Sequence, residues 1–139
     1  MAKLKTAPTD QSVVKFLNSI IDQQKQHDCY MLLAMMKEIT GVEPKMWGNC
    51  TVGFGSYYCR YESGEEGDRF LTGFSPRKQN LTIYIMSGLE KQGALLKKLG
   101  KHKTSILCLY INSPKDIYLP TLKELISGLV KLLQKRYYQ

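Results

Sequence analysis

Two short basic runs are the residues best placed to do chemistry in this chain: Arg77-Lys78 and Lys101-His102-Lys103. Each lies in a polar turn beside an apolar, strand-like stretch, so the two can converge at one end of a sheet. An arginine presents a planar fork of donors to phosphate or carboxylate, and a lysine presents a mobile point charge. Neither Ser75–Asn80 nor Gly100–Thr104 contains an acid, and the chain as a whole carries a formal net charge of +8. Such a balance favours acidic partners. The reading is a site for a small anionic or phosphorylated ligand built from Arg77, Lys78, Lys101, His102 and Lys103, with Trp47 and Tyr84 nearby. The plainer reading is solvated cations: a helix over Leu89–Leu99 would point its negative end at Lys101 and account for that charge by itself.

Other constellations are thinner. Trp47, Tyr57, Tyr61, Tyr84 and Tyr110 could stack on a flat ligand if they share an open sheet face. Core or half-buried packing is the better explanation for them, and strand motifs of the RNA-binding kind are absent, so nucleic acid is not an expected partner. Glu62, Glu65, Glu66 and Asp68 could offer oxygens to a hard cation. They lie between Arg60 and Arg69, however, in what reads as an exposed hairpin turn. The only histidines are His27 and His102. No Ser-His-Asp or Cys-His pairing can be argued from them, and no glycine-rich phosphate loop or dinucleotide fingerprint is present. We therefore expect no catalytic residues, no cofactor, no set of metal ligands, and a protein that binds rather than catalyses.

The four cysteines, at 29, 50, 59 and 108, form no CxxC pair. Buried reduced thiols in a cytoplasmic protein are the expectation, with a Cys50–Cys59 disulfide as the alternative. No apolar run reaches the roughly 18 residues of a membrane span, and the first ten residues lack the apolar core of a signal peptide. No membrane partner is expected. A homodimer is compatible with the sequence.

The elements that must position these residues follow from periodicity. Met1–Pro8 reads as a flexible tail and 9–139 as one domain. Val13, Phe16, Leu17, Ile20 and Ile21 recur at helical spacing after the caps Thr9 and Asp10. Polar Gln23–His27 interrupts the pattern. A second helix carries Leu32, Leu33, Met35, Met36 and Ile39, and Gly41 ends it. Thr51–Tyr61 reads as one strand, with Val52, Phe54, Ser56 and Tyr58 on one face and Gly53, Gly55 and Tyr57 on the other. Close helix packing against the two glycines is the expected reason for them. Glu62–Asp68 is a turn, Phe70–Phe74 a strand, Ser75–Asn80 a turn. In Leu81–Met86, Leu81, Ile83 and Ile85 alternate with Thr82, Tyr84 and Met86. The Leu89–Leu99 helix has Leu89, Leu95, Leu96 and Leu99 inward. Ser105–Ile111 is the last strand. Leu119–Arg136 is a helix with a stripe of Leu122, Leu125, Ile126, Leu129, Val130 and Leu133, and Pro120 fits its first turn. The class is α+β: an antiparallel sheet of about four to six strands, covered on one face by N- and C-terminal helices.

Several motifs carry a family resemblance: PKMWG at Pro44–Gly48, VGFGSYYCRY at Val52–Tyr61, GFSPRKQNLTIYIM at Gly73–Met86, LGKHKT at Leu99–Thr104 and CLYI at Cys108–Ile111. Over roughly residues 10 to 135 the chain resembles the YdhG-like family of small bacterial proteins. The resemblance implies a fold related to that of frataxin and no established enzymatic activity. Some relatives have been proposed as intracellular iron chaperones, so an iron-binding chaperone is the alternative function, and a protein-interaction module the third. The family commonly has a histidine-tyrosine pair where this chain has Tyr58 and Cys59, and the loss of that histidine weakens the carry-over of a metal site.

Overall fold

The computed structural model describes residues 8–48, 50–60, 66–85, 92–105, 107–112 and 114–137. Two helices come first, α1 (Val13–Asn18) and α2 (Gln23–Thr40). Then come β2 (Pro44–Trp47), β3 (Thr51–Phe54), β4 (Tyr57–Arg60), β5 (Glu66–Arg69), β6 (Thr72–Pro76) and β7 (Leu81–Ile85), after a two-residue β1 at Pro8–Thr9. Helix α3 (Gly93–Leu99), β8 (Lys103–Thr104), β9 (Cys108–Ile111) and the long helix α4 (Leu119–Tyr137) complete the chain. All strands pair antiparallel, in the order β1-β2-β3-β6-β7-β9-β8, with β4-β5 as a separate two-stranded ribbon. The fold is α+β as expected. Five strands of four or five residues form the sheet, extended by a two-residue strand at each edge.

The helices lie on one face. Helices α2 and α4 pack together, α2 touches β3 and β6, and α3 packs on α4. From the sheet, Met46, Val52, Phe54, Phe74, Leu81, Ile83, Ile85, Leu109 and Ile111 meet them in one core. These are the alternate residues of each strand, which is what a pleated strand presents to one face. The apolar stripe of α4 is buried throughout. Gly41 caps α2 with φ 72°, and its N–H donates to the Lys37 carbonyl, as the glycine after the apolar repeat implied.

Several boundaries differ from expectation, each for a local reason. Ser12, not Thr9 or Asp10, caps α1: its hydroxyl accepts from the Lys15 N–H. The helix ends at Asn18, which leaves Ile21 94% exposed rather than inward. The polar Gln23–His27 run is not a break but the first turns of α2, capped by Asp22. Pro8, read with the tail, already pairs with Trp47. Leu107 and Ser105 belong to a turn closed by the Ser105 N–H on the Cys108 carbonyl, so β9 starts at Cys108 and β8 forms a separate edge. Met86, Leu89 and Tyr61–Glu65 lie outside the described residues.

The largest difference is in Thr51–Tyr61. The strand breaks at Gly55, which has φ 70°, and the alternation slips by one residue. Tyr57, rather than Tyr58, therefore joins the core, and Tyr58 is exposed. On the return strand the break falls at Phe70-Leu71, with the Leu71 N–H donating to the Phe54 carbonyl. Strand β6 thus begins at Thr72, two residues later than the apolar run suggested.

Ile83 is 0% exposed among the helices and Thr82 3% exposed on the opposite face, where its hydroxyl donates to Asn80 Oδ1. Ile83→Ala is expected to cost about 2–5 kcal/mol in urea unfolding, and Thr82→Ala about 0.5–1.5 kcal/mol for one lost hydrogen bond. Equal losses would contradict the face assignment. Gly128, on the exposed side of α4 with nothing near a Cβ position, gives the opposite sign. Gly128→Ala is expected to raise stability by about 0.5–1 kcal/mol.

Candidate functional site

The face away from the helices is arranged in rows by the strand register. One row runs Lys45, Gly53, Gly73, Tyr84, Cys108 across β2, β3, β6, β7 and β9. The neighbouring row runs Ser75, Thr82, Tyr110, Lys103 across β6, β7, β9 and β8. Same-face rows are two residues apart, about 7 Å along a strand.

Gly53 and Gly73 are direct cross-strand partners. A Cβ on Gly53 would come within 2.5 Å of the Trp47 ring and 2.9 Å of Phe70, and one on Gly73 within 2.5 Å of the Val52 carbonyl oxygen. The glycines therefore make room for aromatic rings on the face opposite the helices, not for a helix. Phe70 lies over them, edge-on to Trp47 at 5.2 Å and 86° and to Tyr84 at 5.3 Å and 71°. Gly55, which alternation placed beside Gly53, instead gives way to the Leu71 side chain. Trp47 and Tyr84 are joined through Phe70, which the sequence reading did not select. Together with Thr51, Arg69, Leu107 and Cys108 these rings line a slot of about 150 Å³.

The basic turns meet through the second row. Gln79 and Asn80 from one turn and Lys101, His102 and Lys103 from the other line a cleft of about 470 Å³, with Tyr110 and Asn112 as its remaining wall. Among the described residues no carboxylate lines it. Three local features set its shape. Gly100, at φ 114°, bridges to Ile117, and a Cβ there would meet the Asp116 carbonyl oxygen at 2.5 Å. The Lys101 N–H donates to that same carbonyl. His102 Nδ1 lies 2.7 Å from the Gly100 carbonyl oxygen. A carbonyl only accepts, so Nδ1 carries the proton and Nε2 is left for a ligand or water.

Arg77 and Lys78 do not line this cleft, and here the expected cation cluster divides. Arg77 is exposed, and its Nη2 donates to the Tyr84 hydroxyl at 3.1 Å. That hydrogen bond, first, and the charge interaction with the same hydroxyl, second, raise the guanidinium pKa above its ordinary value. The turn itself is closed by the Arg77 N–H on the Asn80 carbonyl and clamped by Lys25 of α2, whose ammonium donates to the Arg77 carbonyl. Lys25 was not selected from sequence, because nothing local to the N-terminus of α2 signals a contact 52 residues away. Lys78 projects from the same turn, exposed.

Among the described residues, no three His, Cys, Asp or Glu side chains gather in a way that could hold a metal ion. The acids at 62 and 65 lie outside the described residues, and Asp68 is exposed on β5 opposite Tyr58. No helix among the described residues is long and apolar enough to cross a membrane. No family model, no curated protein and no solved structure matches this chain.

Among the described side chains three thiols are free: Cys29 buried in α2, Cys50 and Cys108 half-buried. Cys50 is thus in no disulfide with Cys59. Burial pushes the Cys29 thiol up to about 12, with Asp28 beside it adding to the effect and Lys25 opposing it. At pH 8 only about one Cys29 in ten thousand is the reactive thiolate. A maleimide at that pH is expected to label Cys50 and Cys108 in the native protein and Cys29 only after denaturant is added. Labelling of Cys29 at the rate of the other two would contradict this placement.

Proposed function

We propose that this chain is a YdhG-like protein that acts by binding a small anionic or phosphorylated ligand, without catalysing its conversion, in the cleft between the two basic turns. One observation carries the reading: segments some twenty residues apart in sequence bring Lys101, His102 and Lys103 against Gln79 and Asn80, with no acid among the described residues of the lining. Three basic side chains facing a shared cleft repel one another when charged. The arrangement gains from an anion between them, and the side-chain amides of the lining supply neutral hydrogen bonds to orient it.

The roles divide by chemistry. Lys101 and Lys103 contribute mobile charge. His102, its Nδ1 already engaged by Gly100, offers Nε2, which donates when the ring is protonated. Asn80 is pre-positioned by the hydroxyl of Thr82, which donates to its Oδ1 at 3.0 Å. That leaves its amide donors for an incoming oxygen. Lys78 and Arg77 stand on the adjoining turn and add long-range attraction, which salt screens.

Titration calorimetry with inorganic phosphate and pyrophosphate, with a thermal-shift screen of phosphorylated metabolites, tests the reading. Replacing Lys101 and Lys103 together by alanine is expected to weaken binding about tenfold or more, since hydrogen bonds to charged groups each contribute about 1.5–3 kcal/mol. The melting temperature without ligand should change little, because exposed turn charges contribute within about 0.5 kcal/mol. Raising the salt concentration should weaken binding further. Phosphate affinity unchanged in the double variant, or no binding by any anion, would overturn the assignment.

A further inference from the structure

His102 lines the basic cleft, and histidine is the side chain whose charge ordinarily changes between about pH 5 and 8. Its Nδ1 lies 2.7 Å from the Gly100 carbonyl oxygen, so that nitrogen carries a proton whether the ring is neutral or charged. The fold sets the place of that carbonyl: Gly100 bridges to Ile117, and the next N–H, that of Lys101, donates to the Asp116 carbonyl. The consequence falls on Nε2. In the neutral ring it holds a lone pair and only accepts; in the charged ring it carries an N–H and only donates. A fully ionised oxyanion offers nothing but acceptors, so the first state repels it and the second binds it. The ring cannot escape by moving its proton to Nε2, because Nδ1 would then face the Gly100 oxygen acceptor to acceptor. Around the ring, Lys101 and Lys103 stand on its own segment and Tyr110 on β9. Lys97 and Lys98 end α3, and Lys115 and Asp116 are exposed on the turn beside Gly100. Lysine, tyrosine and aspartate ordinarily titrate at about 10.4, 10 and 3.9, so histidine is the one residue type among them that changes charge near neutrality.

We infer that the basic cleft is a proton-coupled anion site: it takes up a fully ionised oxyanion together with one proton, which His102 holds on Nε2 and donates to the ligand. This rests on the reading of the cleft as an anion site and adds how that site is regulated. Two lysine charges beside the ring oppose a third, and an anion among them offsets the repulsion. Proton and anion therefore each favour the binding of the other, to the same extent. Affinity rises as pH falls through the ordinary histidine range and is lost as pH rises through it.

Sulfate is the probe, because it keeps both charges and carries no proton across that range, whereas phosphate gains a proton of its own. Titration calorimetry at fixed ionic strength is expected to give sulfate affinity about tenfold or more tighter at about pH 5.5 than at about pH 8, for one charge-assisted hydrogen bond gained. Near pH 7, buffers of different ionisation enthalpy should reveal net uptake of up to one proton per sulfate bound. His102→Gln should show the weak, high-pH affinity at both pH values and no proton uptake. The other histidine, His27, lines a separate cavity with Gln24, Asp28 and Lys115, so His27→Gln should keep the pH dependence and the proton count. Equal sulfate affinity at the two pH values would overturn the inference and leave the anion site standing. A pH dependence that survives His102→Gln, or that disappears in His27→Gln, would do the same. Absence of sulfate binding at both pH values would also overturn it, and phosphate and pyrophosphate then decide separately whether the anion reading falls as well.

Discussion

The cross-strand pair of Gly53 and Gly73 is the constraint on which the functional face depends. Two neighbouring strands without side chains leave a gap one ring deep on the side away from the helices, and Phe70 fills it between Trp47 and Tyr84. Phe70 and Leu71 sit at the break between β5 and β6, and there the chain sends them to opposite sides of the sheet. Leu71 joins the helix-side core while Phe70 covers the glycines. That straddle anchors the base of the β4–β5 ribbon and places the chain break at Gly55 opposite it. A side chain at either glycine would displace Phe70 and with it the wall shared by Trp47 and Tyr84.

Polar groups on this face are settled locally before any ligand is considered. Ser75 donates to the Cys50 carbonyl at 2.7 Å, and Thr82 to Asn80 Oδ1 at 3.0 Å. Buried hydroxyls of this kind stabilise the sheet because leaving them unpaired would cost about 1–3 kcal/mol each. The groups left over are cationic or amide side chains at the sheet's end and edge. They are also the ones that an anion could engage without breaking a structural bond. Arg77 stands apart in being tied to Tyr84, and the same tie that orients it removes it from the lysine cleft.

Much of the architecture was legible in the chain because it is carried by period and punctuation. The alternation of Leu81–Ile85, the stripe of α4, the glycine cap at Gly41 and the apolar CLYI strand each report a local preference reinforced by burial on one face, and each appears in the fold. The strand break at Gly55 was not legible. An aromatic-rich run alternates equally well with or without a slip, and only the packing of Tyr57 and Leu71 into the core selects the slip. The purpose of Gly53 was misread for the same reason: a missing side chain marks a close approach, but not what approaches or from which side.

The site divides along the same line. The residue types came from the sequence alone: two acid-free basic turns, a lone tryptophan and a strand tyrosine, all of which the structure sets on or beside one face of the sheet. Their grouping came from tertiary structure. Strand order puts β9 beside β7 and β8 beyond it, so Lys103 reaches Tyr110 and the cleft with Asn80, while one hydrogen bond to Tyr84 takes Arg77 to the next row. Lys25 reaches the Arg77 carbonyl only because α2 crosses the sheet at that end. Local propensity acts over a few residues, and these contacts join segments from about seven to 52 residues apart. Chain order carries no signal for them, and only the assembled sheet with its packed helices decides them.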